Sequence, residues 1–263
     1  MKKIVIPKNE KRKLKISASD NQDFFIILEE NAELNLIAVY NSNNSDLKIN
    51  FNVDLKENSK LNFINMQKSS ITTNNNIQRE VKLEKNSVFN LFDLNFGGKL
   101  VNSGVSVSLD GENSRFEHFA VFVGNNEQRF DFDVNAFHNA PHTYSNMLTK
   151  GALNDKAKSF YKGLIKINKN ASNSNGYQKQ DSILLSGNAE SNSIPKLEIN
   201  NNEVRCTHGS SVSQIDEDKM FYAMSRGLDE KEAKITLVKG FLQEIIDKVN
   251  FGELDKLIHE KIK

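Results

Sequence analysis

Five histidines and one cysteine hold most of this chain's capacity for metal, acid–base or thiol chemistry. Cys206 and His208 stand two residues apart, which puts both on one face if the segment is extended. A thiolate and an imidazole suit borderline transition metals. Two ligands do not close a tetrahedral site, so any metal held there must take further ligands from a partner chain. The competing reading is a small buried thiol beside a histidine satisfied by hydrogen bonds at a strand end. His138 and His142 flank Pro141, and their four-residue spacing would suit a metal on a helix. Proline and a strand context spoil that geometry, so hydrogen bonding at a corner is expected of both. His118 and His259 are expected at the surface. Asp131 and Asp133 have the spacing of same-face carboxylates in a β-helix lyase or hydrolase. Aspartates in an alternating polar strand are more often a solvated face, and that is the expectation. The chain has no Gly-x4-Gly-Lys-Ser/Thr phosphate-binding loop, so the sequence offers no nucleotide site of that type.

The elements that position these residues follow from composition and spacing. A length of 263 residues allows one large domain, or one with a small appendage. Lys+Arg 35 against Asp+Glu 34 leaves a formal charge of +1, so no global basic field points to nucleic acid or anionic lipid. A single cysteine excludes an intramolecular disulfide. The apolar run Ile4-Val5-Ile6 is too short for a signal peptide, and no later run approaches a membrane span, so a cytoplasmic protein is expected.

One phrase recurs: Leu28-Glu29-Glu30-Asn31-Ala32, then Leu55-Lys56-Glu57-Asn58-Ser59, then Leu83-Glu84-Lys85-Asn86-Ser87, and in degenerate form Leu109 through Asn113-Ser114. The asparagines are 27, 28 and 27 residues apart, and an echo around Asn170 lies 57 residues beyond Asn113. Apolar residues alternate on either side, as in Val53 and Leu55, then Leu61 and Phe63, which marks half-buried strands. The Asn-Ser or Asn-Ala step between them supplies a corner that tolerates left-handed backbone. A step of this length without a helical segment suits one coil of a β-helix. Parallel crossovers are almost always right-handed, so a right-handed parallel β-helix is predicted over residues 1–214, with a two-sheet sandwich as its rival. Residues 215–263 read as a C-terminal helical module. A short helix with acids in its first turn stops at Gly227, and an Asp229/Glu232 capping box opens the next. Leu237, Val238, Phe241, Leu242, Ile245 and Val249 give that helix an apolar face, and Leu254, Leu257, Ile258 and Ile262 continue it on a last segment.

From about residue 138 onward the chain resembles the SufB/SufD family of iron–sulfur cluster assembly proteins, and within it SufD. The resemblance is carried by Lys150-Gly151-Ala152-Leu153-Asn154-Asp155, Gly163-Leu164-Ile165-Lys166-Ile167, Gln180, Leu184-Leu185-Ser186 and Pro195-Lys196-Leu197-Glu198-Ile199. Val204-Arg205-Cys206-Thr207-His208-Gly209 and Phe221-Tyr222-Ala223-Met224-Ser225-Arg226-Gly227-Leu228 are its most telling phrases. The Cys-x-His-Gly phrase is SufD-like, where SufB members carry a Glu-His-Glu type phrase. The chain departs from the pattern at Asn202-Glu203 and Ser210-Ser211, and its repeat starts almost at once where most members have an additional N-terminal segment. The resemblance implies a non-enzymatic scaffold that pairs with a SufB-like subunit through the end of its β-helix and docks a SufC-like ABC ATPase with its C-terminal helices. It implies that His208, with Cys206, faces the SufB-like subunit at a transient iron–sulfur cluster, and that Phe221, Tyr222, Arg226 and Phe241 belong to the ATPase-docking module. The plainer role for the aromatics of the first helix is to pack it against the β-helix end. Alternatives are a homo-oligomeric β-helix interaction protein, with a homodimer formed through the surface meant for SufB, or a β-helix carbohydrate lyase or hydrolase.

Overall fold

The computed structural model of the chain describes residues 1–249 and 258–260. The alternating segments form strands that are dealt in turn to two eight-stranded sheets. One sheet takes β1 (Lys2–Ile6), β3 (Gln22–Leu28), β5 (Asp46–Leu55), β7 (Asn74–Leu83), β9 (Leu100–Leu109), β11 (Arg129–His138), β13 (Lys158–Ile167) and β15 (Glu190–Ile199). The other takes β2 (Lys11–Ala18), β4 (Glu33–Tyr40), β6 (Lys60–Gln67), β8 (Val88–Asn95), β10 (Arg115–Gly124), β12 (Tyr144–Leu153), β14 (Asn175–Leu184) and β16 (Arg205–Gln214). Every strand pairing is parallel, which makes the chain a parallel β-helix and excludes the hairpin-built sandwich.

The repeat phrase is the visible edge of an interior ladder. Its leading residues Leu28, Leu55, Leu83 and Leu109 lie abreast between Ile6 and His138, all fully buried. Each such leucine contributes about 1.5–3 kcal/mol of transfer free energy. The corner asparagines Asn31, Asn58, Asn86 and Asn113 have φ of 58°, 59°, 56° and 61°. Asparagine tolerates this left-handed geometry better than most residues. Their side chains stack as well: the amide of Asn86 donates to Asn58 Oδ1 at 2.9 Å. The following serines close the turn, with Ser59 Oγ donating to Lys56 O at 2.6 Å and Ser87 Oγ to Glu84 O at 2.7 Å. The echo at Asn170 is displaced: the left-handed residue of that corner is Asn173, at φ 57°, and the intermediate corner is held by His142, at φ 59°. The steps from Asn113 to His142 and from His142 to Asn173 are 29 and 31 residues, so the period is no longer constant there.

After β16 come α1 (Glu217–Ser225) and α2 (Glu230–Val249). Asp216 caps α1, accepting from Lys219 N at 3.0 Å, and Gly227 follows with φ 98°. The capping box of α2 is reciprocal, with Glu232 N donating to Asp229 Oδ1 at 2.8 Å and Asp229 N to Glu232 Oε2 at 3.2 Å. Ile235, Val238, Leu242, Ile245 and Val249 of α2 are buried against Phe119, Val121 and Leu148 on the outward face of the second sheet, and Ala233 is buried too. Leu237 and Phe241 are only half-buried at the margin of that stripe. The chain therefore has two apolar layers, one inside the coils and one beneath α2. Ile258 joins the second layer, while Leu254, Leu257 and Ile262 lie outside the described residues. No described helix is long and apolar enough to cross a membrane.

Candidate functional site

The β-helix ends in a rim made by β15 and β16, which pair on one side only, with β13 and β14. Cys206 and His208 lie in β16, and register shows what they continue. Cys206 ends the column Leu34, Leu61, Phe89, Phe116, Ser145 and Gly176. His208 ends the column Leu36, Phe63, Leu91, His118, Met147 and Gln178. Both columns turn from apolar to polar as they approach the rim. Cys206 is half-buried against the interior cluster, whereas His208 is exposed. Burial pushes the Cys206 thiol up, partly offset by a backbone hydrogen bond at Gly176. It is therefore protonated at neutral pH, and binding a metal there would release a proton.

Among the described residues no group of three or more His, Cys, Asp or Glu side chains could hold a metal. Cys206 and His208 therefore make no metal centre by themselves among the described residues. The remaining expected residues are scattered. His118 is buried, contrary to the surface position expected of it, because it faces inward in the Leu36–Phe63–Leu91 column. Its ring lies 6.3 Å from that of Phe116 and its Nε2 is 4.0 Å from Asp93 Oδ2. His138 takes a leucine's place in the other ladder and is bonded by Thr143 Oγ1 at 2.7 Å and Ser145 Oγ at 2.8 Å. Burial pushes both imidazoles down to about 4, so both are neutral at pH 7. His142 sits at a corner and His259 is exposed. Asp131 pairs with Arg129 at 2.9 Å and Asp133 accepts from Asn135 at 2.7 Å, on the outward face of β11.

In the helical module, α1 buries no residue. Phe221 and Tyr222 are 75% and 60% exposed, which overturns the expectation that they pack α1 against the β-helix end. Arg226 lies over the Tyr222 ring at 5.2 Å. Phe241 is turned toward the sheet instead, with Lys150 Nζ 5.2 Å from its ring centroid. Sequence reading missed a buried cluster inside the coils, where Arg79 pairs with Asp93 at 3.3 Å and both bond Ser103. Its signal was available: Arg79 falls at an inward position of the alternation between Ile77 and Val81.

The half-buried Cys206 and exposed His208 thus stand together at the rim of a parallel β-helix that is followed by a helix with exposed aromatics. A family model described as SUF system FeS cluster assembly, SufBD core domain, matches residues 12–241. The chain belongs to the SufBD family. Curated SufBD family proteins are similar to it over most of this core. The protein ycf24 of Galdieria sulphuraria is 30% identical over 189 residues, covering 71% of this chain and 86% of its own length. Rv1461 of Mycobacterium tuberculosis is 28% identical over 207 residues, which are 78% of this chain and 24% of that protein. For slr0074 of Synechocystis the identity is 31% over 161 residues, 60% of this chain and 34% of the relative. The chain thus spans only about a quarter to a third of several curated relatives. Iron–sulfur cluster assembly is the process to which this SufBD core belongs.

Proposed function

We propose that this SufBD protein is a SufD-like, non-catalytic cytoplasmic scaffold that pairs through its β15/β16 rim with a SufB-like subunit. The observation that carries this reading is the contrast between the two ends of the β-helix. Unpaired edge strands invite pairing, and proteins guard them with lysines and inward-pointing charge. The first coil is guarded in that way, with Lys11, Lys13 and Lys15 exposed along β2 and Arg12 at an inward register position. The rim is guarded less: β15 holds Pro195, Lys196 and Glu198, but β16 carries Thr207, Gly209, Ser211 and Ser213 on its outward face, and Ile194 and Val212 are 44% and 45% exposed. His208, with Cys206 behind it, supplies two ligands or a steering pair for a nascent cluster whose other ligands come from the SufB-like chain. The cluster is cargo, built and handed on.

Residues 215–263 are the docking module for a SufC-like ABC ATPase, with Phe221, Tyr222 and Arg226 as the exposed contact and Phe241 anchoring the module to the sheet. ATP hydrolysis belongs to that partner. The test is anaerobic cluster assembly on the complex of this chain with its host's SufB-like and SufC-like proteins, wild type beside His208→Ala. The reading expects the complex to survive in the variant while bound iron and labile sulfide fall to background. Normal assembly in the variant would remove His208 from the site.

A further inference from the structure

The first coil carries a charge that the rest of the chain does not share. Seven of the 35 Lys and Arg residues lie within residues 1–15, against one of the 34 acids, Glu10, so this segment holds +6 and the remaining chain −5. Part of that charge is met within the protein: Lys8 pairs with Glu30, Lys11 with Glu33 at 2.8 Å, and Arg12 folds back onto Glu10 at 2.6 Å. Lys3, Lys13 and Lys15 are exposed and have no carboxylate partner among the described residues. Lys13 and Lys15 stand on the outward side of β2, in line with Lys11. This strand is an open edge, bonded to β4 alone. In a parallel ladder, alternate residues direct their N–H and C=O to one neighbour. Glu10 O and Ala18 O accept from Glu33 N and Asn41 N, so the backbone groups of Lys11, Lys13, Lys15 and Ser17 face the open side. The interior is open there too. Ile4, Leu14 and Ile16 are only half-buried, whereas their neighbours one coil on, Ile26, Leu36 and Ala38, are at most 1% exposed.

We propose that the free edge of β2 receives an extended acidic segment of a partner protein, with Asp or Glu at alternate positions and apolar residues between them. The neighbouring strand β4 meets β2 in this manner: Glu33 stands opposite Lys11, and Leu34, Leu36 and Ala38 lie inward opposite Arg12, Leu14 and Ile16. An added strand gives the free N–H and C=O groups partners, sets its carboxylates beside Lys13 and Lys15, and covers Leu14 and Ile16. The lysines that bar unselective pairing therefore also select. Like charge across the edge disfavours a second copy of this chain, and opposite charge favours an acidic strand. The half-covered apolar row favours a polypeptide over a nucleic acid or an anionic lipid, because neither of those supplies alternating apolar cover together with a backbone ladder. This edge lies at the opposite end of the β-helix from the β15/β16 rim and does not depend on the function proposed for that rim.

The experiment is fluorescence anisotropy of the full chain with a labelled peptide, Gly-Glu-Val-Glu-Val-Glu-Leu-Gly, at low and high salt. Saturable binding that weakens with salt is expected, with slowed amide exchange at Lys13 and Lys15 of the wild-type chain. In Lys13→Glu/Lys15→Glu, an exchange of two exposed side chains, the affinity should fall at least about fivefold, as two cross-strand attractions become repulsions. The matching peptide with Lys in place of Glu should bind that variant more tightly than it binds wild type, an outcome that loss of fold does not produce. The wild-type exchange data decide the question if the variant does not fold. Absence of peptide binding, unchanged exchange at Lys13 and Lys15, or a smaller loss in the folded variant overturns the proposal. So does equal binding of a peptide of the same composition with its three glutamates in one block, which reduces the effect to net charge. A single-stranded oligonucleotide and phosphatidylserine vesicles are the rival polyanions. Tighter binding of either, lost in the same variant, assigns the surface to that polyanion and overturns the acidic-strand reading.

Discussion

Two buried imidazoles make the fold sensitive to mild acid. His118 and His138 are held neutral by burial, with pKa pushed from 6.5 down to about 4. The unfolded chain therefore binds more protons than the folded one between those values, and stability rises with pH across the window. Acidifying from pH 7 to pH 5 should cost about 2 kcal/mol for each histidine and about 4 kcal/mol for both. That is a large share of the roughly 5–15 kcal/mol typical of a whole domain. Urea titrations followed by circular dichroism at pH 7, 6 and 5 measure it, and this range lies mostly above the carboxylates. Replacing either histidine with leucine should remove about half of the slope. A free energy of unfolding that stays flat from pH 7 to pH 5 would refute the reasoning, because the folded interior would then be taking up the protons.

The two histidines should differ at pH 7. His138→Leu strands the hydroxyls of Thr143 and Ser145 and should cost about 2 kcal/mol, while His118→Leu extends an apolar column and should be near neutral; urea midpoints separate them. At the corners, Asn86→Ala should lower stability by about 1 kcal/mol through its left-handed backbone, and Asn86→Gly should recover most of that by thermal unfolding. On α1, Tyr222→Glu should leave the melting temperature within about 2 °C, because the side chain is exposed, and should abolish retention of a SufC-like ATPase in a co-purification assay.

What the sequence made legible follows from how local each signal is. The Leu28-to-Leu109 ladder and the Asn31-to-Asn113 corners repeat because neighbouring coils present the same local demand. The pattern failed where a residue of another chemistry met that demand, as His142 does at a left-handed corner. His118 was misplaced for a similar reason: its polarity suggested solvent, while the Phe116–His118–Ala120 alternation put it inside. The α1 aromatics were misjudged because hydrophobic residues usually pack, and nothing in a nine-residue segment states that no partner surface lies within reach. Cys206 and His208 could be placed on one strand face, but that the strand is an edge depends on which coil is last. The Arg79–Asp93 pair joins residues of different sheets, so only the closed coil brings them together.

The β15/β16 rim is the proposed pairing surface for a second SufBD chain. The direct measurement is amide hydrogen exchange of this chain alone and with its host's SufB-like subunit, after co-expression and mass determination of the complex. One-to-one association of the two β-helical subunits is expected, with strong new protection in β15 and β16 and none in β1 or β2. Protection confined to the first coil, or no association, would contradict it.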